Sequence, residues 1–257
     1  MSDTPILRLP ARYYRALPTD KPGYEPVIFD LSLEKTAFVG MHCWNIGCPD
    51  GPPINYDYCV GMGWPQAAAA SYRIMVEVIR PAMDAARSAG LSVCHVETDW
   101  MDSQYPTIQS RRNRDSPWKP HPTQQQMLDR AHGPDYLAHS PLAQMKRAEV
   151  ISPQGDEPLF FYTDVFDAYL KERGIDTLIY TGFATDMCIL GAEGGGRPML
   201  ARGYRCILMR DGTVGVETPE SFPERLATRY GIHLFEWSVG YSTSFAEFMG
   251  AVGLLTR

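Results

Sequence analysis

A chain of 257 residues, 44% of them hydrophobic, is long enough to bury a full core, and the length suits one large α/β domain. Its formal charge of -6 supplies no global basic field of the kind that nucleic acid or an anionic membrane attracts, so neither is an expected partner. No segment approaches the roughly 18 uninterrupted apolar residues of a membrane helix, and Met1 to Asp30 lacks the basic start and apolar stretch of a signal peptide. A soluble cytoplasmic protein is the expectation.

In chain order, residues 1–34 read as an extension ahead of a single domain at 35–257. Thr36 to Met41 (TAFVGM) is the first short apolar run, followed by Leu91 to Val96, Thr177 to Thr181 and Arg205 to Met209. Each is too short for a helix, and most are bounded by Gly or charge, as buried strands of a parallel sheet are. Helical patterns lie between them. Ala67 to Ala89 ends at Gly90, and Asp164 to Arg173 ends at Gly174. A third helix should start near Thr185 or Asp186, capped by one of those side chains, and run to about Arg202; Gly194 to Gly196 mark either a break in it or a close backbone approach. Strand, helix ending in Gly, strand, repeated, predicts right-handed crossovers: an α/β, three-layer α/β/α domain with a mostly parallel central sheet. Asn45 to Trp64 and Trp100 to His139, the latter with a short helix around Thr123 to Arg130, stand outside the pattern. They begin beyond the carboxyl ends of strands, where ligands of open α/β sheets bind, and are read as pocket walls.

Six cysteines, at 43, 48, 59, 94, 188 and 206, lack CxxC pairing, and reduced thiols are the default. Cys94 and Cys206 read as strand interior, and Cys43, Cys48 and Cys59 have no confirming pattern. Cys188 follows the strand TLIYT by a Gly-Phe-Ala-Thr-Asp-Met turn, which puts its sulfur in the first turn of a helix. Unpaired N–H groups and the positive end of the helix dipole there favour thiolate and can stabilise an oxyanion. A buried, inert cysteine is the competing reading.

The segment TGFATDMCIL resembles the nucleophile segment of the isochorismatase-like cysteine hydrolases, an apolar strand followed by G-x-x-T-x-x-C. The resemblance runs from about Lys35 to Val252 and includes KTAFVGM, RPAMDAARSAGLSVCHV, FDAYLKERGIDTLIYTG and ARGYRCILMRD. It implies a hydrolase of small-molecule C–N bonds such as those of nicotinamide, carbamoyl compounds or biuret, in a chain that forms dimers or tetramers; no cofactor and no metal are expected from the residues. It also implies an oxyanion hole from the Cys188 and Ala184 N–H groups and a non-proline cis peptide within Gly182 to Thr185. One branch of the family cleaves a vinyl ether without a cysteine.

The family pairs its cysteine with an Asp at the end of the first strand and a Lys before the penultimate crossover helix. Here His42 falls at the position of the Asp, and the Lys should fall near Gly155, where SPQGDEPLFF has none; Lys146 is the nearest upstream lysine. An unperturbed imidazole already suits proton transfer at neutral pH, so a Cys188 and His42 pair is the proposed substitute, oriented by Asp99 with Glu97 behind it. The alternatives are a catalytically degenerate binding protein and a non-thiol acid–base hydrolase. His42, Cys43, Cys48 and Cys59 match no zinc spacing. His95 reads as a core histidine, and His121, His132 and His139 as solvated. Candidate substrate contacts are Trp44, Trp100, Phe183, Thr185 and Arg197, with Trp64 and Trp118 as further aromatic wall or interface residues.

Overall fold

The computed structural model describes residues 5–56, 64–105, 121–134, 136 and 140–255. Parallel strands β3 (Thr36–Met41), β4 (Ser92–Val96), β5 (Leu159–Phe160), β6 (Thr177–Gly182), β7 (Arg205–Met209) and β8 (Tyr241–Thr243) lie in one sheet with an antiparallel hairpin, β1 (Ile6–Arg15) and β2 (Gly23–Ser32). The order across the sheet is β2-β1-β8-β7-β6-β3-β4-β5. β3 and β6 are buried at every position, which is what near-continuous apolar runs require when both faces are covered.

Side-chain alternation divides the core in two. Phe38, Val93, Ile179 and Ile207 face helices α1 (Pro65–Ile74) and α2 (Arg80–Ala89) and the C-terminal helix α8 (Phe245–Leu255), where they meet Met75, Met83 and Phe248. Val39, Cys94, Val96 and Tyr180 face the other layer: α4 (Thr163–Glu172), α6 (Gly196–Leu200) and α7 (Leu226–Ser238), through Phe166, Leu170, Met199 and Phe235. The α/β/α layering and mostly parallel sheet expected from the sequence are those observed.

Two helices differ from expectation. The pattern at Ala67–Ala89 is one rod from Pro65 to Ala89 interrupted by a π-helical turn at Met75–Ile79, just ahead of Pro81, whose ring nitrogen has no hydrogen for the carbonyl four residues back. The third helix is split into α5 (Cys188–Gly191) and α6. A Cβ on Gly195 would lie 2.6 Å from the Cys188 carbonyl oxygen, and one on Gly196 2.6 Å from Val239 Cγ1, so the glycines serve both a break and a close approach. Neither expected cap forms: Asp186 Oδ1 accepts from the Val216 N–H, and Thr185 pairs with Thr213, which ties this turn to the segment after β7 instead. The short helix around Thr123–Arg130 is α3 (Pro122–His132).

Candidate active site

Three adjacent strands end level with one another. Met41 of β3 pairs with Val96 of β4 and with Gly182 of β6, so His42, Glu97 and Phe183 come next in register at the carboxyl edge. The His42 N–H donates to the Val96 carbonyl at 2.8 Å, and the Phe183 N–H to the Met41 carbonyl at 3.0 Å. His42 then turns the chain out of the strand with φ 49°, in the left-handed region. Its ring is buried, lies 5.5 Å from the Trp44 ring between centroids, and has no hydrogen-bond partner at either nitrogen among the described residues. Burial, with the nearby Arg147 charge, lowers its pKa to about 3, so the imidazole is neutral. No hydrogen bond joins it to Cys188 or to Asp99, which begins a 3-10 turn (Asp99–Gln104) beyond the end of β4.

Cys188 opens α5, and a cis peptide joins Phe183 to Ala184 in the turn that leads to it. It is partly exposed, whereas Cys43, Cys48, Cys94 and Cys206 are buried. Burial pushes its thiol up to about 11; the charges of Asp186 and Glu97 act in the same direction, and the Ala184 N–H, which faces the sulfur, opposes them. The helix dipole expected to favour thiolate has little length to act through, because α5 has only four residues.

The most heavily constrained charges at this edge are Glu97 and Arg147, of which only Glu97 drew notice in the sequence. Arg147 Nη1 donates to Glu97 Oε1 at 2.6 Å, Nη2 to the Gly40 carbonyl at 3.1 Å and Nε to the Ile151 carbonyl at 3.0 Å. Both side chains are sealed from solvent, at 2% and 0% exposure. Gly40 makes room for the guanidinium, since a Cβ there would lie 2.8 Å from Arg147 Nη2. Burial raises the pKa of Glu97, against the lowering effects of Arg147, the Trp44 indole and the Cys43 N–H. Its second oxygen, Oε2, and Trp44 Nε1 are buried and unpartnered among the described residues. Alternation along β4 would have found the carboxylate, because Val93, His95 and Glu97 share a face; nothing in the sequence around Arg147 marks it.

The remaining candidates scatter. Phe183 and Thr185 are buried, the latter with its hydroxyl 2.7 Å from that of Thr213. Trp44 is buried and bridges to Arg147 through the backbone, Trp100 is 48% exposed, and Arg197 is exposed on α6. Gly155 lies in the turn ahead of β5, at the amino end of that strand, and Lys146 is exposed. His95 is a buried histidine, as read, 2.9 Å from Glu157 Oε2. His121 caps α3, and His132 stacks on Tyr136 rather than standing free in solvent, because the helix end folds its ring against that residue. Cys59, Trp118 and His139 lie outside the described residues. An open pocket of about 460 Å³ is lined by Cys48, Ile54 and Tyr72 among others, in the loop after β3 that was read as a wall. Among the described residues no three His, Cys, Asp or Glu side chains converge where a metal ion could sit, and no helix is long and apolar enough to cross a membrane.

The site thus consists of a partly exposed cysteine on the turn after a central parallel strand, in an α/β domain of three-layer α/β/α architecture. The sequence profile of the Isochorismatase domain matches residues 54–222, and the chain belongs to the isochorismatase family. Among solved structures, a cysteine hydrolase from Pseudomonas syringae pv. phaseolicola 1448A superposes with a TM-score of 0.55 at 18% identity, over 88% of this chain and 95% of the other. A putative hydrolase of the isochorismatase family from Chromobacterium violaceum ATCC 12472 gives 0.53 at 13% identity, over 90% and 100%. A putative isochorismatase from Burkholderia xenovorans LB400 gives 0.51 at 19%, over 87% and 89%. These likenesses establish the shared fold. No curated protein matches the chain.

Proposed function

We propose that this protein hydrolyses the C–N bond of a small amide through a covalent intermediate on Cys188. The observation that carries the reading is the thiol itself: of the described cysteines it alone is partly exposed, at the carboxyl edge of the sheet, with the Ala184 N–H facing its sulfur. Sulfur attacks the carbonyl carbon, and the developing oxyanion takes hydrogen bonds from the Ala184 and Cys188 N–H groups, the second of which opens a helix and has no intrahelical acceptor. Water then releases the acyl group. Because burial keeps the thiol protonated at neutral pH, attack requires a base that removes the proton as the S–C bond forms. An imidazole with a pKa near 3 is too weak for that task, so we assign His42, sealed beside Trp44, no part in the proton transfer.

The experiment is a panel of small amides and ureido compounds incubated with the protein and followed by intact-mass and peptide mass spectrometry. An acyl mass on the Cys188 peptide supports the reading, and release of amine with no adduct on a trapped sample and undiminished turnover in Cys188→Ala refutes it. That second result would favour acid–base hydrolysis with a silent thiol, a reading favoured by the same upward shift of the Cys188 pKa.

A further inference from the structure

We propose that Glu97, anchored by Arg147, is the acid–base group that exchanges a proton with Cys188. The inference rests on the hydrolase reading above and names the group that reading lacks. Glu97 stands at the end of β4, two strands from β6, with only β3 between them, and adjacent strands are about 4.8 Å apart. On β3 the residue in register beside Glu97 is His42, and Gly40, on the same face one pair earlier, leaves room for the guanidinium that holds the carboxylate. One carboxylate oxygen is fixed by Arg147 at 2.6 Å, while the other, Oε2, is fully buried, and the nearby Trp44 indole and Cys43 N–H do not complete a hydrogen bond to it. A buried polar atom left unpaired costs about 1–3 kcal/mol unless something meets it, and a thiol proton or a bridging water would do so.

Electrostatics point the same way. The charge of Glu97 is felt at Cys188, and burial raises the carboxyl pKa from its ordinary value, which makes the group a stronger base. The other titratable groups around Glu97 are Arg147, Cys43 after β3, and Tyr105, with His42 in register beside it. Burial pushes Cys43 up to about 12 and raises Tyr105, which keeps both protonated at neutral pH and leaves neither able to take the thiol proton.

The step balances without an oxidant or cofactor. Oε2 takes the proton from Sγ, directly or through one water, as sulfur bonds to the carbonyl carbon. The resulting carboxylic acid passes that proton to the leaving nitrogen as the C–N bond breaks. Water attacking the thioester then gives a proton to Oε2, the C–S bond breaks, and the proton returns to sulfur. Arg147 is the positioning residue.

The test is the rate of Cys188 alkylation by iodoacetamide from pH 5 to pH 10, read by peptide mass spectrometry, which needs no substrate. The wild-type rate should show a limb with a midpoint below that of the thiol itself, and Glu97→Gln should remove the limb and slow alkylation at pH 7 by about tenfold or more. Glu97→Asp should restore part of it. If Glu97→Gln does not fold by circular dichroism, the double variant Glu97→Gln with Arg147→Gln, which buries no charge, takes its place with the same expectation. A profile that overlays the wild type overturns the inference. Amide turnover through a Cys188 adduct, with alkylation and turnover both unchanged in these variants, would sink Glu97 and leave the hydrolase reading standing. Alkylation that depends on Glu97 in a protein that turns over no amide would do the reverse.

Discussion

His42 and His95 are both sealed within the molecule with pKa values of about 3, against about 6.5 in an unfolded chain. For each, burial is the largest cause and Arg147 adds to it, and for His95 these outweigh the upward pull of Glu157. A base with a depressed folded pKa is neutral in the native state and charged when unfolded at low pH, so its contribution is fully present above pH 6.5 and declines as pH falls from there toward 3. The slope is about 1.4 kcal/mol per pH unit for each histidine. Urea unfolding between pH 6.5 and pH 4 should show this slope, and His42→Asn, which suits the left-handed backbone, should remove one histidine's share. An identical slope in wild type and variant would contradict the assignment of His42 as a sealed neutral ring. At the neighbouring residue, Gly40→Ala places a methyl 2.8 Å from both Arg147 Nη2 and Met83 Cε and should lower stability by about 1–3 kcal/mol in the same assay. No loss would mean that the guanidinium does not sit where its three hydrogen bonds put it.

At the scale of elements, the turn from β6 to α5 is held from behind. The Thr185 N–H donates to the Val214 carbonyl at 3.1 Å, and its hydroxyl pairs with that of Thr213 in a buried contact. Thr185→Val should leave the Thr213 hydroxyl unpaired, cost about 1–3 kcal/mol by denaturant unfolding, and change the alkylation rate of Cys188 by shifting the turn. A stable variant with an unaltered rate would show that this pairing does not position the thiol. β3, β4, β6 and β7 were legible in the sequence because strands buried on both faces are short apolar runs punctuated by Gly, and the Cys188 turn was legible because it follows such a run directly. Hairpin β1–β2 was not, since Pro10 and Pro26 interrupt alternating strands with mixed burial. Nor were β5, of two residues, or β8, of three, which present no period to read. Arg147 was hidden for a different reason: it meets Glu97 across 50 residues of chain, and a contact between a loop and a strand end has no sequence spacing. The caps expected of Thr185 and Asp186 failed because tertiary partners after β7 took those side chains first.

At the scale of the whole molecule, the hairpin is built into the sheet. β1 pairs with β2 along ten residues and touches β8 at Arg12 and Ser242. It buries Leu7 and Leu9 completely, and Arg12 Nε donates at 2.7 Å to Glu236, whose side chain is 0% exposed. Removing residues 1–32 should therefore cost about 3–6 kcal/mol from the two leucines alone, with a further penalty for leaving Glu236 buried without its cation. Denaturant unfolding of residues 33–257 checks this, and a fragment as stable as the full chain would show the hairpin to be an independent appendage.

All three scales converge on the sulfur of Cys188, and the most direct measurement is amine release by Cys188→Ala beside the wild type, on whichever amide of the panel is turned over. A covalent route predicts that the rate falls by at least about 10³-fold while the melting curve stays in place. Near-equal rates in the two proteins would contradict it.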